Sequence, residues 1–242
     1  MDWLTTTPIA HRGLHDEETP ENSLAAFQAA IDAGYAIECD VQCTADGVPV
    51  VFHDRELARL TRADGRVEDT SWSALQELEL AGTTHQIPRL QSVLKRVDGR
   101  MALLVEIKNR SMSVGHIERR VVDELDAYDG PFAVQSFNPR SLAYFRKIRP
   151  AWPRGQLAAR ELDDGSVSRI QQAVLERLLA TPWSRPDFVA YRHTDLPYWP
   201  VTLHRRAGLP VLAWTVRSRE AAEAVASHAE NVIFEGYRPS LR

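Results

Sequence analysis

Residues 36–54 read AIECDVQCTADGVPVVFHD, and the fold turns on how this run is parsed. Two apolar, β-rich segments, AIECDV (36–41) and VPVVFHD (48–54), flank TADG, whose Asp-Gly pair is a turn signal. Glu38 and Asp40 stand two apart where a buried strand calls for valine, and His53-Asp54 closes the second segment. A strand's period of two puts both carboxylates on one face and turns Cys39 and Val41 toward the other. The run therefore predicts a strand whose charged side chains meet something other than solvent. A hairpin excursion then delivers His53.

The same rhythm extends in both directions. Upstream, PIAHRG (8–13) reads as a strand and SLAAFQAAIDAG (23–34) as a helix. In that helix Leu24, Phe27, Ala30 and Ile31 share a face, Asn22 or Ser23 offers an N-cap and Gly34 a stop. Downstream, residues 55–88 are polar and irregular with one predicted helix at SWSALQELEL, and IPRLQSVLKRV (87–97) forms another. Strands at 101–108, 132–137, 154–159, 187–192, 211–216 and 231–236 then alternate with helices at 113–128, 139–149, 167–180, 198–208 and 218–229. Counting 48–54 as an excursion leaves eight strand–helix units, the pattern of an α/β (β/α)8 TIM barrel with a short insertion after the second strand. A doubly wound open sheet fits the same alternation and is the second choice. With no linker-like shift in composition, residues 1–242 are expected to form a single catalytic domain, the small insertion spanning about 43–88.

Composition narrows the class of protein. Of 242 residues, 44% are hydrophobic and 26% charged, as in an ordinary globular chain. A net charge of −4 argues against nucleic acid or a membrane surface held by bulk electrostatics. The start MDWLTTTPIAHRG has no basic segment followed by an apolar one, and no run approaches the roughly 20 apolar residues of a membrane span. A soluble, cytoplasmic chain is expected. The only cysteines, Cys39 and Cys43, lie four apart on a strand, too far to bridge easily, and read as free thiols.

In a barrel of this kind chemistry sits where strands end. The first strand ends in His11-Arg12, the second carries Glu38 and Asp40, its excursion ends in His53-Asp54, and MALLVEIK carries Glu106 and Lys108. Each is bland alone. A Glu-x-Asp is usually a solvated edge, a strand-end histidine is usually satisfied locally, and an exposed Glu106–Lys108 pair is worth little. Their coincidence on three early strands is informative. Three carboxylates gathered at one mouth repel and are driven to protonate, a conflict that a divalent cation removes. Oxygen-only ligation by Glu38, Asp40 and Glu106 favours Mg²⁺ or Ca²⁺. Arg12 and Lys108 add positive charge suited to a phosphate. The unperturbed pKa of an imidazole lies near operating pH, so His11 and His53 can serve as general base and general acid. The set fits phosphoester cleavage.

The wording goes further than the pattern. HRGLHDEETPENSLAAFQAAIDAG, IECDVQCTADGVPVVFHDRELARLT and IPRLQSVLKRVDGRMALLVEIK closely resemble the glycerophosphodiester phosphodiesterase family over roughly residues 8–110. The resemblance implies a (β/α)8 barrel that hydrolyses glycerophosphodiesters to glycerol 3-phosphate and an alcohol with a divalent metal, placing the chain in lipid and glycerol metabolism. It implies His11 and His53 as the acid/base pair, Glu38, Asp40 and Glu106 as metal ligands, and Arg12 and Lys108 as phosphate contacts. QSFN (135–138) and AWTV (213–216) resemble later segments, from which Phe137 and Trp214 are implied contacts to the glycerol carbons. For PENS, with Glu21, helix capping is the default reading. Of His85, His116, His193, His204 and His228, only His193 follows a predicted strand. Toward the end ENVIFEGYRP stands where the family reads closer to DGIITDYP, so Glu235-Gly236 points to an altered headgroup preference. The competing functions are a related phosphodiesterase acting on lysophospholipid or another headgroup, and a non-catalytic phosphate binder. The expected partner is a small glycerophosphodiester, with no nucleic acid and no membrane span.

Overall fold

The computed structural model describes residues 1–161 and 168–241. After a short helix α1 (Trp3–Thr6), strands and helices alternate: β1 (Ile9–Ala10), α2 (Leu24–Asp32), β2 (Ala36–Cys43), β3 (Pro49–Val51), α3 (Trp72–Leu75), α4 (Leu90–Val97), β4 (Leu103–Ile107) and α5 (His116–Leu125). The alternation continues through β5 (Phe132–Ser136), α6 (Pro139–Ile148), β6 (Arg154–Ala158), α7 (Arg169–Glu176), α8 (Thr181–Ser184), β7 (Phe188–Arg192), α9 (Trp199–Arg206), β8 (Val211–Val216), α10 (Arg219–Val225) and β9 (Asn231–Phe234). All nine strands join one sheet; eight make a (β/α)8 barrel and β3 is the extra strand beside β2. The doubly wound alternative is set aside. By internal packing the chain divides into residues 10–108 with 115–132, and residues 1–9 with 109–114 and 133–242.

In the first half β2 pairs in parallel with β4, setting Glu38 opposite Leu104 and Asp40 opposite Glu106. On its other edge β2 pairs antiparallel with β3, Val41 opposite Val51 and Cys43 opposite Pro49, so TADG is the hairpin expected. Helix α2 starts where Ser23 accepts a hydrogen bond from the Ala26 N–H, buries Ala26, Phe27 and Ala30, and stops before Gly34 at φ 77°. The insertion read as polar has a core of its own. Val50 and Phe52 of the hairpin bury with Leu57, Val67, Leu75, Leu80 and Ile87, which come singly from the stretch read as irregular. The helix expected at SWSALQELEL shrinks to α3.

In the second half β5 to β9 pair in parallel in chain order. Val189, Tyr191, Val211 and Ala213 meet Leu178, Val201 and Val225 in its core. The helix expected at 167–180 begins at Arg169 and breaks at Leu178, which takes φ 57°, before α8 restarts with Pro182 in its first turn. Val167 lies outside the described residues. The first strand, expected over 8–13, spans only Ile9–Ala10, because His11 and Arg12 leave it in a turn.

Candidate active site

The sequence HRG forms a turn that only glycine can complete. Gly13 has φ 82°, and a Cβ there would meet Ala26 at 2.8 Å and the Phe27 ring at 2.9 Å. Arg12 just before it also takes a left-handed φ of 57°, as does Asn22, and the Asn22 N–H donates to the Arg12 carbonyl at 2.8 Å. Two non-glycine residues in this region are held by their surroundings. The turn aims the Arg12 backbone N–H at Glu38 Oε2 (2.9 Å) and brings its Nε within 3.3 Å of Asp40 Oδ2.

The strand register supplies the rest. Glu38, Asp40 and Glu106 are buried, and their carboxylate oxygens approach within 4.8 Å of one another. Lys108 Nζ sits 2.6 Å from Glu106 Oε1 and 2.9 Å from Asp40 Oδ1. Asn22 Nδ2 donates to Asp40 Oδ2 at 2.8 Å. Burial works against the charge on Asp40, but Lys108, His53, Arg12 and His11 outweigh it and hold the carboxyl well below its usual range. Glu38 goes the other way: burial, then the charges of Asp40 and Glu106, push it well above. Burial disfavours the Lys108 cation, yet Asp40 and Glu106 prevail and raise its pKa.

These residues fit a divalent cation. Glu38 Oε1 is buried and has no hydrogen-bond partner, an acceptor atom left over beside two more carboxylates. Two nearby cations, Arg12 and Lys108, do not balance three carboxylates. All the donors are oxygens, the set a hard cation takes.

His53 is delivered by the end of the hairpin. Phe52 anchors the segment in the insertion core, and Gln42 Nε2 donates to the carbonyls of Phe52 (2.7 Å), His53 (3.2 Å) and Asp54 (2.6 Å). Gln42 continues the 38–40 alternation, and sequence reasoning passed over it because an amide after two carboxylates carries no metal signal. Asn22 was passed over for the same reason, read as a helix cap. His53 Nδ1 lies 2.7 Å from Asp54 Oδ1. Burial opposes ionisation of Asp54, but bonds to His53 and Arg59 hold its pKa far below the usual value. A carboxylate at this distance favours the tautomer in which Nδ1 carries the proton and Nε2 is the acceptor.

Phe137 and Trp214, from the other half, meet edge to face with centroids 5.6 Å apart. The Arg192 guanidinium lies 5.8 Å from the Trp214 ring, whose buried Nε1 has no hydrogen-bond partner. Gln156 Nε2 donates to the Phe137 carbonyl at 3.2 Å. His193 begins a one-turn helix after β7, and burial followed by Arg217 lowers its pKa. His204 bonds Thr181 Oγ1 and faces the Pro200 carbonyl, both at 2.8 Å, a role inside the helical layer. Glu235 pairs with Arg217 at 2.6 Å.

A (β/α)8 barrel with three convergent carboxylates, two cations against them and a carboxylate-oriented histidine defines a class: barrel hydrolases that handle a charged ester beside a cation. Comparison with known proteins agrees. The chain matches the glycerophosphoryl diester phosphodiesterase family over residues 11–233 and belongs to that family. It is 34% identical over 224 residues, 88% of this chain and 87% of the relative, to the Bacillus subtilis (strain 168) protein named "Putative glycerophosphodiester phosphodiesterase YhdW". A glycerophosphodiester phosphodiesterase from Bacillus altitudinis is 33% identical over 156 residues, 60% of this chain and 63% of the relative. Among solved structures, an Oleispira antarctica phosphodiesterase in complex with sn-glycerol-3-phosphate shares the fold with a TM-score of 0.79 and 24% identity, covering 96% of this chain and 93% of that one. The protein is a phosphodiesterase that hydrolyses glycerophosphodiesters. Among the described residues no helix is long and apolar enough to cross a membrane.

Proposed function

We propose that the chain hydrolyses glycerophosphodiesters to glycerol 3-phosphate and an alcohol, with Glu38, Asp40 and Glu106 holding one Mg²⁺ or Ca²⁺. The observation that carries this reading is the carboxylate triad, buried with an unpartnered Glu38 oxygen. When bound, such a cation supplies Lewis-acid stabilisation of phosphoryl charge. Arg12 and Lys108 orient the phosphodiester and offset its negative charge, which a guanidinium and an ammonium beside buried carboxylates are suited to do. One of His11 and His53 takes a proton from the attacking hydroxyl, water or the substrate's own glycerol oxygen. The other gives a proton to the departing alkoxide. Nε2 of His53 is the atom that exchanges it.

For Phe137 and Trp214 we keep the role the resemblance implies, contact with the glycerol carbons, which their paired apolar rings are suited to make. The sn-glycerol-3-phosphate held by the Oleispira antarctica structure supports the product assigned here. We place the enzyme in the cytoplasm as a single catalytic domain that returns deacylated phospholipid headgroups to glycerol and lipid metabolism.

The test is a coupled glycerol 3-phosphate assay with glycerophosphocholine, glycerophosphoethanolamine and glycerophosphoglycerol, in Mg²⁺, Ca²⁺ or EDTA. Release in at least one metal and none in EDTA is expected. Silence with every substrate and metal, or full turnover of stripped protein in EDTA, refutes the assignment.

A further inference from the structure

Next to the acid/base and phosphate groups stands a further charged residue, Arg59. Arg59 lies on the loop after β3, six residues past His53, with 47% of its side chain exposed. Its Nε donates to Asp54 Oδ2. The rest of the guanidinium forks onto Glu21, Nη1 to Oε2 at 3.0 Å and Nη2 to Oε1 at 2.7 Å. Glu21 Oε1 also accepts from Arg12 Nη1 at 2.7 Å. The path runs His53, Asp54, Arg59, Glu21, Arg12, and from there to Glu38 and Asp40.

The path joins two stretches of chain that lie outside the named strands, residues 11–23 and 52–62, the second held at Phe52 and by the Glu56–Arg66 bridge but with His53, Asp54 and Arg59 between or beyond those points. One carries the guanidinium that faces the carboxylates and the other carries the imidazole. Glu21 and Asp54 would repel each other if brought together alone. A planar fork that serves both at once sets their separation and their orientation, which a point charge does not. We infer that Arg59 is a positioning residue for the reaction: it clamps the His53 loop to the Arg12 loop through Asp54 and Glu21. This rests on the assignment of His53 as an acid/base group.

Exposure separates this role from a merely structural one. Arg59 itself is half-exposed while Glu21 and Asp54 are largely covered, so its loss is expected to cost the fold less than it costs the rate. Displacing a reacting group by about 1 Å can lower the rate about 100-fold. Arg59→Met keeps the apolar stem and removes the fork, and Arg59→Lys returns the charge without it. Both are compared with wild type in the coupled assay, together with thermal midpoints and ¹⁵N–¹H spectra of the His53 imidazole.

The expected result is a kcat about 10- to 100-fold lower in Arg59→Met with KM little changed. Its midpoint stays close to that of wild type, and Arg59→Lys recovers part of the rate. The His53 spectrum shifts from one tautomer, protonated at Nδ1, toward an average of two. Wild-type kcat with an unchanged His53 spectrum overturns the inference, as does a loss of rate matched by a loss of folded protein. If His53→Ala turns over like wild type, the acid/base assignment falls. The imidazole spectrum of Arg59→Met then still decides whether Arg59 holds the ring.

Discussion

At the scale of single residues, the site is fixed as much by backbone conformation as by charge. Gly13 sits in a region that costs other residues about 1–2 kcal/mol, against α2 at a distance no Cβ tolerates. Gly13→Ala should lower the unfolding free energy by about 2–4 kcal/mol, read as an earlier denaturant midpoint with unchanged slope. It should also depress turnover, because the turn aims the Arg12 N–H at Glu38. The two thiols should be inert. Burial, then the charges of Glu38, Asp40 and Glu106, push Cys39 far above its usual value, and burial pushes Cys43 to about 12. Labelling by a disulfide reagent at mildly alkaline pH should run about 100-fold slower in native protein than in denaturant. Equal rates would mean that β2 is open. The charged members of the site were legible because carboxylates and histidines are improbable in buried strands. Asn22 and Gln42 were not, since a neutral amide fits a cap or an edge equally well until the Asp40 carboxylate and the His53 carbonyl are seen beside it.

At the scale of elements, the strand–helix alternation was legible wherever apolar residues keep a period, and it failed where packing overrides it. β6 carries a glycine in mid-strand, Gly155, where a Cβ would lie 2.1 Å from the Phe188 ring. The glycine makes room for its neighbour across the β6–β7 pair. The insertion core was invisible for the opposite reason, its apolar residues being spaced by tertiary contact. Helix α5 carries a further consequence. Glu124 is half-buried against α4, accepts from the Gln91 N–H, and has Oε2 unpartnered; burial lifts its pKa to about 7 despite the opposing pull of Arg89. An acid with a higher pKa folded than unfolded binds its proton more tightly when folded. Its penalty is absent below about 4.5, grows as pH rises, and is complete above about 7. Discounted for partial solvent screening, the penalty is about 1–2 kcal/mol. Glu124→Gln should therefore be more stable than wild type at pH 8 and no more stable at pH 4.5, with turnover unchanged, as seen in denaturant titrations at both pH values. A stability difference independent of pH would contradict the assignment.

At the scale of the whole molecule, a barrel has no exposed sheet edge only when all eight strands are in place. Strands β2 to β4 lie in one compact unit and β6 to β9 in the other. As the single catalytic domain proposed above, the chain is expected to unfold in one cooperative transition, with calorimetric and van't Hoff enthalpies equal. A bound cation should raise that transition, since its proposed ligands come from β2 and β4, which the unfolded chain does not bring together. A ligand that binds only the folded state adds about 2.7 kcal/mol at a hundredfold excess over its dissociation constant. For a chain of this length that is a rise of about 5–10 °C in the midpoint. Mg²⁺ or Ca²⁺ should produce that rise and EDTA should abolish it, in the absence of any substrate. Glu106→Gln keeps the shape of the third ligand but removes its charge. The apo midpoint should move little or upward, because one buried repulsion is gone, while the response to the cation should largely disappear. If wild type and Glu106→Gln respond equally to the cation, the binding site lies elsewhere. The three carboxylates would then be held in place by Lys108, Arg12 and Asn22.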